Sequence, residues 1–121
     1  MYEDRIKFIE HKGRRILYED YSNISAEQAI LVLAEGNKVE EKEPVGSILS
    51  LSNYTDFHFS INYVNAVNNA SKDHSKYYKA SAFLGVTGLV KVMFDAASKF
   101  TKQELRIFND KNEALDWLVS K

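Results

Sequence analysis

The stretch TDFHFS, residues 55–60, gathers the side chains best suited to acid–base chemistry. His58 follows Asp56 by two positions, and a histidine with a carboxylate partner can titrate near neutral pH. Thr55 or Ser60 would supply the nucleophile of a hydrolase. Adjacency in sequence does not establish hydrogen-bond geometry, so the pattern favours ordinary polar positions over catalysis. We therefore predict no catalytic residues and no enzyme, with a hydrolase as the alternative if these side chains converge.

Ser60 has a second possible chemistry, which is phosphorylation. It stands where a helix is predicted to begin, and the N–H groups and dipole of a helix N-terminus favour an anion. A serine of the first helical turn is the simpler interpretation. Both interpretations stay open at this point.

The other polar motifs are too sparse for a metal or phosphate site. His11, His58 and His74 lie far apart without HxxxH or HxxE spacing, and the chain has no cysteine, so we predict no metal and no cofactor. Asp73 beside His74 fits a polar helix end better than a catalytic pair. The segment GVTG, residues 85–88, stands where α/β proteins bind anions. It lacks GxGxxG and the Walker lysine, so a tight turn is favoured.

Aromatic side chains are concentrated around the same part of the chain. Most of them fit a hydrophobic core, but Tyr and Phe at a partly exposed surface are also frequent interface anchors, and an apolar cleft could hold a lipid-like ligand. A partner surface is favoured over a pocket, because no convergent polar groups for a ligand head group are evident. The aromatic residues are Tyr54, Phe57, Phe59, Tyr63, Tyr77 and Tyr78.

The composition fits one globular domain without a nucleic-acid bias. The chain has 121 residues, of which 45% are hydrophobic and 27% charged, and one domain is expected at this length. Sixteen Lys and Arg against seventeen Asp and Glu give a net charge of −1, so the positive field that drives nucleic-acid binding is missing. Without an apolar signal core or a run of about 20 apolar residues, we expect a cytoplasmic protein with no membrane span.

The first part of the chain, before the aromatic and polar residues described above, predicts a hairpin and a helix. Residues 5–21 contain two apolar runs that turn at Lys12 and Gly13. Ser25 caps the following helix with Gln28 at the capping-box position, and Gly36 predicts the end of the helix. Residues 37–44 are charged and end in the only proline, so they predict a solvated loop.

The remaining elements alternate between strands and helices. Strands are predicted at residues 45–51, 76–86 and 105–108. A helix of about four turns is predicted within residues 57–75. Thr87 would cap a third helix with the apolar stripe Leu89, Met93, Ala97 and Phe100.

The last helix has a capping box formed by Asp110 and Glu113, and an apolar face that packs through Trp117. The complete order is ββαβαβαβα. It predicts an α/β domain with a mixed, mainly parallel sheet of about five strands covered by four helices.

This order resembles the STAS-like family of small bacterial proteins related to the anti-sigma-factor antagonist SpoIIAA. The resemblance is carried by SILSLSNYTD at residues 47–56, KASAFLGVTGL at residues 79–89 and RIFNDKNEALDWL at residues 106–118. Its most specific part is the last, with a strand ending in Phe, an Asp-containing turn and a helix carrying Ala-Leu-x-Trp-Leu. The resemblance implies a single STAS-like domain over residues 1–121, no catalytic apparatus, and a regulatory role in binding a partner protein or a small apolar ligand.

The phosphorylation switch of the antagonists is not preserved. In those proteins an Asp-Ser pair begins the helix after the third strand, and the serine is phosphorylated to switch partner binding. An ungapped match places His58 and Phe59 at that pair, with Ser60 one residue later. This departure puts regulation by phosphorylation in doubt.

We predict a working face at the carboxyl ends of two parallel strands, where α/β folds usually place their sites. It comprises residues 53–63 and the turn at residues 85–89. The partner is a protein, with a homodimer as the simplest case; the alternative is a carrier that holds an apolar molecule or lipid between the sheet and the second or third helix. The predicted surface residues are Tyr54, Asp56, Phe57, His58, Phe59, Ser60, Tyr63, Gly85, Thr87 and Gly88.

Overall fold

A mixed sheet runs through the protein in the order β1-β2-β3-β4-β5. The computed structural model describes residues 2–88, 90–92 and 104–121. The strands are β1 Ile6–His11, β2 Arg14–Asp20, β3 Ile48–Asn53, β4 Tyr78–Leu84 and β5 Glu104–Phe108. β1 and β2 are antiparallel, whereas every later pair of neighbours is parallel. The predicted mixed, mainly parallel sheet is confirmed.

Four helices accompany the sheet, as predicted. They are α1 Ala26–Glu40, α2 Ile61–His74, α3, which includes residues 88 and 90–92, and α4 Lys111–Val119. Short 3-10 helices cover Tyr2–Arg5 and Ser75–Tyr77. The predicted apolar stripe of the third helix, Leu89, Met93, Ala97 and Phe100, lies outside the described residues. Within the part of the chain that the structure describes, no helix is long and apolar enough to cross a membrane.

The hairpin and the helix caps form as local sequence predicts. Lys12 and Gly13 have φ values of 50° and 82°, which suit the tight turn that joins antiparallel strands. Ser25 Oγ accepts from the Gln28 N–H at 3.1 Å, and Gln28 Oε1 accepts from the Ser25 N–H at 3.0 Å. The capping box of α1 is thus complete. At α4, an Asp110 side-chain oxygen accepts from the Glu113 N–H at 3.0 Å.

The predicted end of α1 at Gly36 is wrong, because the helix continues to Glu40. Gly36 is buried inside the helix, where an added Cβ would lie 3.0 Å from Glu19 Oε1 on the sheet. The glycine therefore lets α1 approach β2 closely. Residues 37–40 are consequently helical, and only the later part of the predicted loop is a loop.

Other boundaries shift by a few residues. β3 begins at Ile48 rather than at residue 45, because Gly46, with φ of 73°, turns the chain just before it. α2 begins at Ile61 with Ser60 as its N-cap. Phe57 and Phe59 therefore precede the helix that the sequence pattern assigned to them.

The two faces of the sheet carry different cores. Alternation along β3 turns Leu49 and Leu51 toward the layer that contains α4, while Ser50 and Ser52 turn toward the opposite layer. In α4 the fully buried residues are Ala114, Leu115 and Leu118, and Trp117 is half-buried with its ring 5.5 Å from that of Phe108. The layer beneath α1 and α2 includes Leu17, Tyr21, Ala29, Val32, Tyr54, Phe57, Tyr63 and Val86.

Candidate functional site

The two segments of the predicted working face lie against each other. Gly85 has φ of 79°, and a Cβ added there would lie 2.5 Å from Thr55 N and 2.6 Å from Tyr54 C. The Tyr54 N–H also donates to Leu84 O at 2.7 Å. Only glycine permits this approach of one backbone to another. The turn after β4 and the loop after β3 therefore form one continuous surface.

The large aromatic residues lie beneath this surface and form its support. Tyr54, Phe57 and Tyr63 are buried, and Phe59 is half-buried. The ring centroid of Tyr54 lies 4.9 Å from those of Tyr21 and Phe59, and the Tyr54 and Tyr63 hydroxyls share a hydrogen bond of 2.7 Å. Burial is favourable here, because each ring gains packing and the two hydroxyls satisfy each other.

The exposed part of the face is small and mostly polar. Asp56, His58, Thr87 and the glycines at 85 and 88 are exposed. Ile61, the first residue of α2, is 76% exposed. A partner could reach these residues.

The predicted hydrolase set is not assembled. Thr55 Oγ1 donates to Asn53 Oδ1 at 2.6 Å, and Ser60 Oγ accepts from the Tyr63 N–H at 3.2 Å as the N-cap of α2. In the described part of the chain, no hydrogen bond joins His58 to Asp56 or to either hydroxyl. Without such contacts the residues have no geometry for proton transfer to a nucleophile.

The other two histidines make separate contacts. His11 Nε2 lies 2.8 Å from Asp116 Oδ1 and holds the hairpin turn to α4. His74 Nε2 lies 2.9 Å from Glu41 Oε1, and this hydrogen bond raises the pKa of His74. His74 therefore pairs with Glu41 rather than with Asp73. Among the described residues, no group of three or more potential ligands could hold a metal ion.

A cavity of about 150 Å³ lies between the sheet and the helices α1 and α2. The carrier alternative had placed an apolar cleft between the sheet and the second or third helix, but no sequence pattern predicted the acidic and serine side chains that line this cavity. Ser50, Ser52 and Ser81 line it from the two central strands. Their side chains are short, so they leave space that larger residues at these positions would fill. The weak alternation of short and large side chains in residues 45–51 was the available signal.

Two glutamates face this cavity, and both are buried. Glu19 is 5% exposed; its Oε1 accepts from the Tyr21 hydroxyl at 3.2 Å, and its Oε2 lies 3.5 Å from the Tyr78 hydroxyl oxygen. Glu40 is 2% exposed, and its Oε2 accepts from the Tyr78 hydroxyl. Glu40 Oε1 has no hydrogen-bond partner within the part of the chain that the structure describes. The sequence pattern had placed Glu40 in a solvated loop.

Burial makes both carboxyl groups hold protons at unusually high pH. Burial raises the pKa of Glu19 to about 8, and the nearby charge of Glu40 contributes in the same direction. Burial also raises the pKa of Glu40 to about 7, although the hydrogen bond from Tyr78 opposes the shift. Burial raises the pKa of Tyr78 well above 10, so its hydroxyl remains a donor at neutral pH.

Comparison with known proteins identifies the fold. No family model matches this chain, and no curated protein matches it. It is similar to the crystal structure of an uncharacterised protein of the DUF3478 family with a SpoIIAA-like fold from Shewanella loihica PV-4, with a TM-score of 0.70 and 23% identity. The match covers 93% of this chain and 91% of that chain. The chain therefore has the SpoIIAA-like fold that the resemblance implied.

Proposed function

We propose that this chain is a non-enzymatic, cytoplasmic STAS-like module that binds a partner protein through its loop face. The loop face is defined as residues 53–61 and 85–88. The observation that carries the proposal is the contact of Gly85 with the backbone of Tyr54 and Thr55, which joins two exposed loops into one surface. A surface ordered before binding loses little conformational entropy when a partner docks.

The chemistry of the loop face also suits a protein partner. Ile61 offers an exposed apolar side chain, and Asp56, His58 and Thr87 supply polar groups nearby in the chain or on the facing turn. Apolar contacts within a polar rim are typical of protein interfaces. The buried aromatic rings below hold the backbone of this surface in place. A second copy of the chain is the simplest partner, because symmetric self-association is common.

The alternative, a carrier of an apolar molecule, is less well supported by the cavity. Glu19, Glu40 and five serines line it. An apolar molecule would displace water from these groups without offering them hydrogen bonds, which is unfavourable. The polar groups that a ligand site needs are present, but they suit a different ligand class.

The test compares two exposed apolar residues. We expect Ile61→Asp to lower capture of the partner at least tenfold in affinity purification from the host's extract, as measured by quantitative mass spectrometry. Light scattering would measure whether the variant also loses self-association. Val45→Asp is the matched control, because Val45 is 68% exposed but lies outside the loop face. Asp at the first position of α2 is compatible with the helix dipole, so Ile61→Asp should fold.

The result that would contradict the proposal is also specific. If every protein captured by the wild type, including a second copy, is captured equally by Ile61→Asp, the loop face is not the partner surface. Circular dichroism of both variants would verify that they are folded before the comparison is made.

A further inference from the structure

The cavity beneath α1 and α2 is lined by acidic side chains without a lysine or arginine among the described residues. Among the described residues that line it are the carboxyl groups of Glu19 and Glu40, but no lysine or arginine. His74 also lines it, and its Nε2 is already paired with Glu41. A buried negative charge normally has a positive partner. The charge of His74 lowers the pKa of Glu40, but the ring nitrogens of His74 are hydrogen-bonded to Ala70 O and to Glu41.

Glu40 is the residue that points to a missing ligand. It is 2% exposed, and it lines the cavity with Oε1 unpartnered in the part of the chain that the structure describes. Its other oxygen is occupied by the Tyr78 hydroxyl. A carboxylate oxygen accepts hydrogen bonds and cannot donate them when ionised. The group that satisfies Oε1 must therefore carry an N–H or O–H donor.

The shape and the other walls of the cavity favour an organic cation. Its volume is about 150 Å³, similar to an engineered apolar cavity that admits benzene. Tyr21, Tyr54 and Phe83 contribute aromatic wall. Leu33 and Val67 add aliphatic wall for a short hydrocarbon chain.

The field of the helices acts in the same direction. α1 ends at Glu40 and α2 ends at His74, and both terminal residues line the cavity. The carboxyl end of a helix carries partial negative charge and favours cations. Asn37 and Ser71, which are partly or fully exposed, line the cavity on the helix side and leave a route from solvent.

We infer that this cavity is a binding site for a small primary ammonium ion, whose N–H groups donate to Glu40 Oε1 and whose short hydrocarbon chain lies against the aromatic and aliphatic walls. A metal ion fits less well, because no group of three or more ligands occurs among the described residues. The site goes beyond the proposed partner surface, with which it shares the buried Tyr54.

The first test compares isosteric probes on the full chain. In a ¹⁵N NMR titration at pH 8, n-butylammonium chloride should produce saturable shifts at Glu40, Ser71 and Ser81. 1-Butanol has the same size and no charge, so we expect it to bind at least tenfold more weakly. Potassium chloride at equal concentration controls for ionic strength and should leave these amides unchanged. Equal binding of the amine and the alcohol, or amine shifts only outside the cavity, would overturn the inference.

The second test removes the charge of Glu40. Glu40→Gln keeps the size of the side chain, and we expect it to weaken n-butylammonium binding at least tenfold. Glu35→Gln on the same helix is the matched control, because Glu35 pairs with Lys38 at 3.2 Å on the surface. Unchanged affinity in folded Glu40→Gln would also overturn the inference. If that variant fails to fold, the comparison of amine and alcohol in the wild type decides.

The two proposals can fail separately. Ile61→Asp should retain full affinity for n-butylammonium, since Ile61 does not line the cavity. Loss of partner binding without loss of amine binding would support both proposals. If Ile61→Asp abolishes amine binding while remaining folded, the cavity is not an independent site.

Discussion

At the scale of single residues, Gly85 and Gly36 each lie where a Cβ atom would crowd a neighbour, Gly85 against backbone and Gly36 against the end of the Glu19 side chain. Gly85 lets the turn after β4 touch the loop after β3, and Gly36 lets α1 approach Glu19 on β2. The first contact joins the two segments of the loop face, and the second lies beside Glu19, which lines the cavity. The loop face therefore depends on the absence of a Cβ atom at Gly85.

Gly85→Ala is expected to destabilise the protein more than Gly13→Ala does. Both glycines have positive φ, 79° and 82°, so both substitutions carry a conformational penalty of about 1 to 3 kcal/mol. Only at Gly85 would the new methyl group meet backbone, whereas nothing lies within 4 Å of the position at Gly13. We expect an additional loss of about 1 to 3 kcal/mol at Gly85, measured by urea unfolding. Equal losses would show that the loops can separate freely.

At the scale of elements, helix starts follow local chemistry more closely than helix ends do. Ser25, Ser60 and Asp110 each accept a hydrogen bond from an N–H in the first turn of the helix that they cap. Such bonds join residues three positions apart, so sequence spacing predicted the caps at Ser25 and Asp110, whereas Ser60 was predicted to lie in the first turn and is the N-cap instead. Phosphorylation of Ser60 stays a prediction, and the side chain's present role is that of a cap.

The cap of α2 gives a direct test at this scale. Ser60→Ala removes the acceptor for the Tyr63 N–H, and we expect a loss of about 1 kcal/mol in the free energy of unfolding. Ser60→Asp should recover most of this loss, because aspartate is an equally good cap. The measurement is chemical unfolding of the three proteins under the same conditions. A loss in Ser60→Asp as large as in Ser60→Ala would rule out capping as the main role of Ser60.

At the scale of the whole molecule, the buried glutamates link folding to proton binding. Their pKa values in the folded protein are about 8 for Glu19 and about 7 for Glu40, against 4.5 for an ordinary glutamate. The folded state therefore holds protons that the unfolded state releases. The pKa of His74 on α2 is also raised, mainly by its hydrogen bond with Glu41, and acts in the same direction.

We expect stability to fall as the pH rises from about 5 to 8. The contribution of a group with a raised pKa is fully present below its unfolded value and is lost as the pH rises through its folded value. A tenfold change in a group's proton affinity between the folded and unfolded states corresponds to about 1.4 kcal/mol. A total loss of several kcal/mol is therefore expected from the glutamate pair. Urea unfolding at several pH values measures it.

Glu40→Gln and Glu35→Gln provide the comparison for this pH dependence. Glu40→Gln should flatten the decline and be more stable than the wild type at pH 8, because it removes a carboxyl group whose ionisation is unfavourable when buried. Glu35→Gln, on the exposed side of α1, should retain the decline of the wild type. A wild-type stability that rises between pH 5 and 8 would contradict the assignment of raised pKa values to the pair.

Features that depend on neighbours along the chain could be predicted from the sequence alone. The hairpin turn at Lys12 and Gly13, the caps at Ser25 and Asp110, and the order of strands and helices all follow from local spacing and conformational preference. The alternation of strands and helices was sufficient to predict a mainly parallel sheet, since crossovers of this kind restrict the possible topologies.

Tertiary packing decided instead which polar groups are buried and which segments contact each other. Local propensity ended α1 at Gly36, but close docking on β2 uses that glycine, extends the helix and carries Glu40 into the interior. Glu19 and Glu40 face one cavity although they are distant in sequence. Spacing along the chain predicts hydrogen bonds between residues that are close in sequence. The burial of a carboxyl group depends instead on how the helices pack on the sheet.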